Sequence, residues 1–173
     1  GVTVAIDEAS GQSRTARADA FIGADGVHSQ TRLGMLDGPA AQYRNRIAWR
    51  TLVPADSIGE QIAMDRVSVF FGSGFHLVCY PLPHRGQVNL ALFMPGAIPP
   101  DGVQPNPRRP GPKVQQLLTA AADDWTAWPM YTVETPRWHQ GNIGIIGDAA
   151  HAMVPFQAQG AAMGIEDAAT LAP

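Results

Sequence analysis

Asp148 is the residue whose type and position most directly suggest chemistry. It follows Gly147 and the apolar segment 142–146, which predicts a short buried strand. A carboxylate after such a strand lies where open α/β sheets bind ligands, and it accepts hydrogen bonds from sugar-like hydroxyls. An acidic residue here equally well caps the helical turn predicted over residues 149–154. The position alone leaves both roles open.

A helix predicted over residues 160–172 adds a second candidate site. The first amides of a helix have no intrahelical acceptor and carry the positive end of its dipole, so they attract an anion or an electron-rich carbonyl. The small residues Gly160, Ala161 and Ala162 let a flat ligand approach the backbone closely. Small residues at a helix start are also typical of tight packing against a sheet, which remains the alternative.

A polar turn near the N-terminus contains three more residues that can bind a ligand. Asp25 lies in the run Gly-Ala-Asp-Gly at 23–26, and His28 and Arg32 lie in a helical turn predicted over residues 27–33. Asp and Gly are typical of turns because both tolerate positive φ. An ordinary turn at the end of a strand therefore explains this segment as well as a binding site does.

Three segments of the chain supply the elements that must position these residues. Segment 1–34 predicts two short strands, and segment 139–173 predicts the strand and helix that flank Asp148. The middle segment, 35–138, predicts a helix over residues 114–125 and a series of strands whose short connections imply an antiparallel meander. The strands predicted in the first and middle segments span residues 2–6, 18–23, 43–53, 67–71, 75–82 and 87–94.

Composition argues against several classes of function. The chain has 173 residues, of which 45% are hydrophobic and 16% charged, and this balance favours a folded core over disorder. A net charge of -3 provides no general attraction to nucleic acid or to an anionic membrane, and no apolar run is long enough to span a bilayer. Cys79 is the single cysteine and the five histidines lack ligand spacing, so we predict no disulfide, no metal site and a cytoplasmic location.

The motifs at the two ends of the chain, taken together, resemble those of the single-component FAD-dependent aromatic hydroxylases. Segment 23–32, GADGVHSQTR, resembles the second flavin and nicotinamide motif of that family. Segment 142–172 resembles its second FAD motif, with the run GDAAH, a later proline and glycine, and a Glu-Asp-Ala run. Trp-Arg at 49–50 and Tyr-Pro-Leu at 80–82 resemble the salicylate-hydroxylase-like branch.

The resemblance implies FAD as the cofactor and assigns residues to it. Asp148 is similar to the residue that accepts hydrogen bonds from the ribityl chain. At the helix start that includes Gly160, the amides of Ala161 and Ala162 are similar to the donors at the flavin pyrimidine edge, where they would stabilise negative charge on reduced flavin. Asp25 resembles the acid that connects the FAD and nicotinamide sites.

The resemblance also implies NAD(P)H and a small aromatic molecule as co-substrate and substrate, with O₂ as the source of the inserted oxygen. His28 and Arg32 resemble the positions associated with the NAD(P)H pyrophosphate, and Pro155 resembles the residue whose carbonyl faces the substrate. Phe156 adjoins this loop and would supply an apolar wall, but it cannot act as an acid or base. No residue of the chain is predicted to be an acid, base or nucleophile in the reaction.

A second part of the predicted substrate site lies in the strand over residues 75–82. His76, Val78 and Tyr80 alternate along it and therefore share one face. His76 or Tyr80 would donate a hydrogen bond to a phenol or carboxylate on an aromatic ring. A solvent-facing histidine on an ordinary strand is the alternative.

The predicted fold is α/β, a partial Rossmann-like FAD/NAD(P)-binding domain interrupted by a substrate domain with a mostly antiparallel sheet. Residues 1–34 and 139–173 form the first domain and residues 35–138 the second. The Gly-x-Gly-x-x-Gly fingerprint with which the family begins is absent from this sequence, so the chain is expected to be a fragment of an FAD-dependent monooxygenase. The alternatives are another flavoenzyme of the superfamily, a reductase or halogenase, and a non-catalytic fragment that binds no flavin. The sequence predicts no oligomeric state.

Overall fold

Ten strands and four α-helices make up the computed structural model, which describes residues 1–172. The strands are β1 (Val2–Asp7), β2 (Ser13–Ala18), β3 (Phe21–Gly23), β4 (Gln42–Pro54), β5 (Ser68–Gly72), β6 (Phe75–Leu82), β7 (Gln87–Pro95), β8 (Thr126–Thr132), β9 (His139–Gln140) and β10 (Ile143–Ile145). The α-helices are α1 (Ala55–Ile58), α2 (Pro112–Ala121), α3 (Asp148–His151) and α4 (Gly160–Leu171).

The chain divides into two compact units. One, which we call the split unit, combines Gly1–Gln42 with the chain from Tyr131 onward, and the other, the central unit, is Tyr43–Met130. The predicted middle segment, 35–138, is therefore wider than the central unit at both ends. A break of this kind, with the ends of a chain in one unit and its middle in another, is the arrangement expected for a domain that interrupts another domain.

The central unit is built on an antiparallel sheet with the strand order β5-β6-β7-β4-β8. The predicted meander is confirmed, since β5 pairs with β6 and β6 with β7 in antiparallel register, and β4 then pairs with β7. Strand β8 was not predicted. Helix α2 ends at Ala121, four residues before the predicted end, because Ala122 has a φ of 46°, which a helix does not continue through.

One face of this sheet forms the core of the central unit. Residues from β4, β6 and β7 alternate between a buried face and a more exposed face, and α2 packs its apolar side against the buried one. Trp125 follows α2 and lies in the same core, as its apolar periodicity suggested. The core residues are Ile47, Trp49, Val53, Ile58, Ile62, Phe75, Leu77, Cys79, Val88, Leu90, Leu92, Val114, Leu117, Ala121 and Trp125.

The split unit contains two small sheets. Strands β1 and β2 form an antiparallel hairpin, and β3, β10 and β9 form a sheet in that order. Strand β2, except for its last residue Ala18, lies outside the predicted strands because its residues are mostly polar and exposed, so only its pairing with β1 reveals it. Strand β10 pairs with β3 in parallel register, which confirms the prediction that residues 20–23 and 142–146 lie in one domain.

No helix within residues 1–172 has the length and apolar character that crossing a membrane requires. In the same residues, no group of three or more His, Cys, Asp or Glu side chains is arranged to hold a metal ion.

Candidate functional site

The parallel pairing of β3 and β10 brings the two motif segments together. Ile143 is opposite Phe21 and Ile145 is opposite Gly23, so both strands end at the same edge of the sheet. The Ile146 amide continues the ladder with a 3.0 Å hydrogen bond to the Gly23 carbonyl. The turns that contain Asp25 and Asp148 both begin at this edge, which is where ligands bind in open α/β sheets.

Asp25 organises the first of these turns. Its carboxylate accepts hydrogen bonds from the Ser29 hydroxyl at 2.5 Å, from the Thr31 amide at 3.0 Å and from the Thr31 hydroxyl at 3.1 Å. Partial burial by itself raises the pKa of Asp25, but these hydrogen bonds outweigh it and hold the pKa below its ordinary value. The carboxylate is therefore charged at neutral pH, and most of its acceptor capacity serves the turn itself.

The same turn depends on a close approach between Gly23 and Thr31. A Cβ on Gly23 would lie 2.5 Å from the Thr31 side chain, so only glycine fits at the end of β3. The helical turn that follows spans Thr31–Met35 and is π-helical, which places it four residues later than the α-helical turn predicted over 27–33. Residues 26–29, which these hydrogen bonds of Asp25 to Thr31 span, lie outside any helix.

Arg32 is a buried structural residue. Its side chain is 0% exposed, with Nε donating to the Pro39 carbonyl at 2.8 Å. Nη1 donates to the Ala149 carbonyl and Nη2 to the Val27 carbonyl, each at 2.7 Å. Burial lowers the pKa of Arg32 and the charge of Asp25 raises it, but an arginine remains protonated. A guanidinium engaged in this way is not available to a dinucleotide, so we replace the expected pyrophosphate contact with a structural role.

His28, in contrast, is exposed at the surface of the turn. Its ring meets Tyr131 edge-on, with centroids 4.8 Å apart and planes at 77°. Of the two residues assigned by resemblance to NAD(P)H, His28 alone presents its side chain to solvent. The assignment of His28 remains a prediction.

Asp148 is exposed at the start of α3, directly after Gly147. Gly147 has a φ of 58° and a ψ of -141°, a conformation that favours glycine, and it occupies the position that precedes the helix. No side chain caps α3, and the Asp148 carboxylate has no hydrogen-bond partner within residues 1–172. The capping alternative is therefore not realised, and the carboxylate is free to accept hydrogen bonds from a ligand.

Helix α4 presents an open N-terminus. Gln159 precedes it without a side-chain hydrogen bond to the first turn, and a Cβ built on Gly160 meets no atom within 4 Å. Ala161 and Ala162 are exposed. An acceptor carboxylate and a set of helix amides suit the polyol chain and the electron-rich edge of FAD, so the residues present fit this cofactor.

A second acid, Asp167, ties α4 to the turn that holds Asp148. Its Oδ2 accepts the Gly147 amide at 2.8 Å and lies 2.6 Å from His151 Nε2. The side chains of His151 and Asp167 are only 13% and 15% exposed. No role was predicted from the sequence for Asp167, which is one residue of the Glu-Asp-Ala run. Its partners lie 16 and 20 positions earlier in the chain, so no local sequence pattern indicates these hydrogen bonds.

Pro155 and Phe156 lie together in a short 3₁₀ turn, Pro155–Gln157, between α3 and α4. Phe156 is 48% exposed. Both residues therefore stand at the surface near the start of α4, which is compatible with the substrate role that the resemblance implies. That role remains a prediction.

His76 and Tyr80 lie on the outer face of the central sheet, as the alternation predicts. Phe75, Leu77 and Cys79 point into the core, whereas His76 and Val78 are half-buried and Tyr80 is exposed. The His76 ring stacks on Phe93 with centroids 4.7 Å apart, and its pKa is lowered by burial and by the charge of Arg46. Whether these side chains meet a substrate remains a prediction.

Cys79 is excluded as a nucleophile by its surroundings. It is 0% exposed within the core, and burial raises the pKa of its thiol to about 12. The thiolate is the reactive form of cysteine, so this side chain is chemically inert in the folded protein.

Comparison with known proteins agrees with the geometry. Residues 113–173 match the FAD binding domain family. The 3-hydroxybenzoate 6-hydroxylase 1 of Aquipseudomonas alcaligenes is 30% identical over 161 residues, which cover 88% of this chain and 41% of that protein. The chain thus spans about two fifths of the length of the curated relatives it matches.

Solved structures share the fold. A salicylate hydroxylase in complex with its substrate is 25% identical, with a TM-score of 0.71 over 96% of this chain and 47% of that one. Klebsiella pneumoniae HpxO, complexed with FAD and uric acid, is 24% identical with a TM-score of 0.75 over 96% of this chain and 44% of that one. The resemblance and the fold class predicted from the sequence are confirmed. The chain is therefore similar in sequence to FAD-dependent aromatic hydroxylases, and its residues 113–173 match the FAD binding domain family.

Proposed function

We propose that the protein to which this chain belongs is an FAD-dependent monooxygenase that hydroxylates a small phenolic or carboxylated aromatic ring with NAD(P)H and O₂. The observation that carries the proposal is the parallel pairing of β3 with β10, which sets the Asp25 and Asp148 turns at one edge of a sheet. FAD, when bound, supplies the redox and oxygen chemistry. The protein supplies binding, orientation and exclusion of water.

Asp148 and the start of α4 are the residues that would hold the cofactor. The exposed carboxylate of Asp148 would accept hydrogen bonds from ribityl hydroxyls. The amides of Ala161 and Ala162, at the uncapped end of α4, would donate to the pyrimidine edge and favour negative charge there. Asp25 would contribute to cofactor binding by fixing the conformation of its turn, because its carboxylate already accepts hydrogen bonds from Ser29 and Thr31.

Two further assignments complete the proposal. His28, exposed beside the Asp25 turn, would contact the NAD(P)H pyrophosphate. The substrate would meet Pro155 and Phe156. His76 and Tyr80 remain separate candidates for donating a hydrogen bond to it. The relatives support an aromatic substrate, since one is named a 3-hydroxybenzoate 6-hydroxylase and another a 3-amino-4-hydroxybenzoate 2-monooxygenase. A cytoplasmic location fits a chain whose one cysteine is a buried free thiol.

The test uses the complete protein, with whatever sequence adjoins these 173 residues in its gene. We expect FAD to co-purify or to bind on titration. NAD(P)H oxidation should increase when hydroxybenzoates are added, and with ¹⁸O₂ the product should contain one labelled oxygen. NAD(P)H oxidation without a hydroxylated product would instead indicate a reductase. A halogenated product, formed only with added halide, would indicate a halogenase, and the absence of FAD binding would indicate a non-catalytic protein.

The 173-residue chain by itself is expected to bind FAD weakly or not at all. Its residues would contact only the ribityl and pyrimidine parts, because the sequence contains no Gly-x-Gly-x-x-Gly turn for the ADP part. These few contacts must offset an association cost of about 4 kcal/mol or more. Titration followed by flavin fluorescence measures the affinity, and stoichiometric sub-micromolar binding would contradict the expectation.

A further inference from the structure

The turn that holds Asp148 is braced by a residue to which no role has been assigned. Asp167 lies on α4, seven positions after Gly160, and a single oxygen of its carboxylate meets both ends of the segment Gly147–His151. It accepts the backbone amide of Gly147 at 2.8 Å and contacts the ring of His151 at 2.6 Å. Asp148 lies between these two contacts.

The contacts of Asp167 with Gly147 and His151 are largely shielded from solvent. The side chains of Asp167 and His151 are 13–15% exposed, and the His151 ring lies against Trp138 with centroids 5.0 Å apart. A Cβ placed on Gly164, one turn before Asp167 on the helix, would lie 3.7 Å from the Gly147 Cα, so α4 passes close to this turn. Hydrogen bonds in such a setting are stronger than at an exposed surface because water competes with them less.

Gly147 needs such a partner. Its φ of 58° and ψ of -141° form a backbone state that only glycine adopts readily, and a residue in that state is held by its surroundings. Within α3 the Ala149 carbonyl accepts a hydrogen bond from Arg32 Nη1 at 2.7 Å. Asp148 itself has no partner within the described chain, so the direction of its carboxylate is set by these neighbours.

We infer that Asp167 is a positioning residue for cofactor binding, which fixes the Asp148 carboxylate relative to the N-terminal amides of α4 by tying Gly147 and His151 to that helix. The inference rests on the function proposed above. Because Asp167 belongs to the same rigid helix as the Ala161 and Ala162 amides, one carboxylate sets the spacing between the two groups that would hold FAD.

The experiment measures FAD affinity in the complete protein for the wild type, Asp167→Ala, Asp167→Asn and Glu166→Gln. Loss of a charge-assisted hydrogen bond predicts that Asp167→Ala raises the FAD Kd by about tenfold or more. Asp167→Asn retains an oxygen acceptor for Gly147 and should remain within about threefold of the wild type. Glu166→Gln removes the same charge from an exposed neighbour on α4 and should change the Kd by less than about twofold.

Two further readouts separate positioning from a general loss of structure. In the FAD-free protein, Asp167→Ala should accelerate hydrogen exchange of the Gly147 amide, with the circular dichroism spectrum unchanged. In a double-mutant cycle, Asp167→Ala should change the Kd by at most about threefold once Asp148→Ala is present, because Asp167 acts through the Asp148 turn.

The outcomes distinguish the inference from the function on which it rests. A wild-type protein that does not bind FAD overturns both. A wild-type protein that binds FAD while folded Asp167→Ala binds it equally well overturns the inference alone. An equal effect of Asp167→Ala with and without Asp148 would likewise overturn it, since Asp167 would then act independently of that residue.

Discussion

The two units of this chain are stabilised by different means. The central unit has a core of fifteen buried residues, almost all aliphatic or aromatic. The split unit has a cluster of four, with Val133 and Ala152 also buried, and its buried polar side chains are Ser29, Thr31 and Arg32. An apolar core is non-directional, whereas a hydrogen-bonded network holds only when each donor meets its acceptor. The unit that would bind the cofactor is thus the one whose geometry is specified by polar contacts.

Within the split unit, residues whose side chains are hydrogen-bonded within the chain differ from exposed residues that can bind a ligand. Asp25, Arg32 and Asp167 are all occupied by hydrogen bonds within the chain. Asp148 and His28 are exposed, and Asp148 has no partner within residues 1–172. Substitution of the first group should therefore lower stability or move the site, and substitution of the second should alter binding alone.

The largest effect is expected from Arg32→Ala. It leaves three carbonyls, those of Pro39, Ala149 and Val27, without their donor. Loss of a buried charge with three hydrogen bonds predicts a decrease in the free energy of unfolding of about 3–5 kcal/mol. Denaturant unfolding of the complete protein measures it, with exposed His28→Ala as the control, which loses only the Tyr131 ring contact and should cost about 1 kcal/mol or less. If Arg32→Ala unfolds like the wild type but has a higher KM for NAD(P)H, Arg32 contacts the pyrophosphate as the resemblance implies.

Leu77→Ala tests the apolar unit in the same way. Leu77 is 0% exposed in the core of the central sheet, and its truncation should lower the free energy of unfolding by about 3 kcal/mol through lost burial and a residual cavity. Val78→Ala, on the opposite face of the same strand, is the matched control and should cost less than about 1 kcal/mol. Equal effects of the two substitutions would mean that the outer face of β6 is packed as tightly as the inner one.

Asp148→Ala should affect the cofactor and leave the fold intact. Its exposed carboxylate makes no hydrogen bond or ion pair within residues 1–172, so the unfolding midpoint should change little. Loss of a charge-assisted hydrogen bond to FAD predicts a binding penalty of about 1.5–3 kcal/mol, or roughly 10–100-fold in Kd. Wild-type FAD affinity in the folded variant would remove Asp148 from the site.

The smallest effect concerns the charge of Asp25. Its folded pKa lies below the ordinary value of 3.8, so ionised Asp25 stabilises the fold above that pH, and the contribution is lost as pH falls through the folded pKa. Because Asp25 is exposed, Asp25→Asn should cost only about 1 kcal/mol at neutral pH. Unfolding of both proteins from pH 7 to pH 2.5 should show the difference shrinking below pH 4, and a difference independent of pH would contradict the assignment.

Much of the central unit was predictable from local sequence patterns. Alternation along residues 75–82 and 87–94, with short turns between them, predicts β6 and β7 and their antiparallel pairing. The same alternation separates Leu77 in the core from His76 on the outer face. These predictions succeed because neighbours in sequence are also neighbours in the sheet. Strand β8 escaped prediction because its place beside β4 is decided by pairing with a distant segment.

For the split unit, the sequence by itself determined which residue types are present and the family they resemble, including the Asp25 and Asp148 turns and the helix start at Gly160. Only the tertiary structure decided which side chains are hydrogen-bonded within the chain and which are open to a ligand. Arg32 lies 117 positions from the Ala149 carbonyl that it holds, and Asp167 lies 20 positions from Gly147. A hydrogen bond over such separations depends on where the parallel strands β3 and β10 meet, and no local periodicity encodes that meeting point.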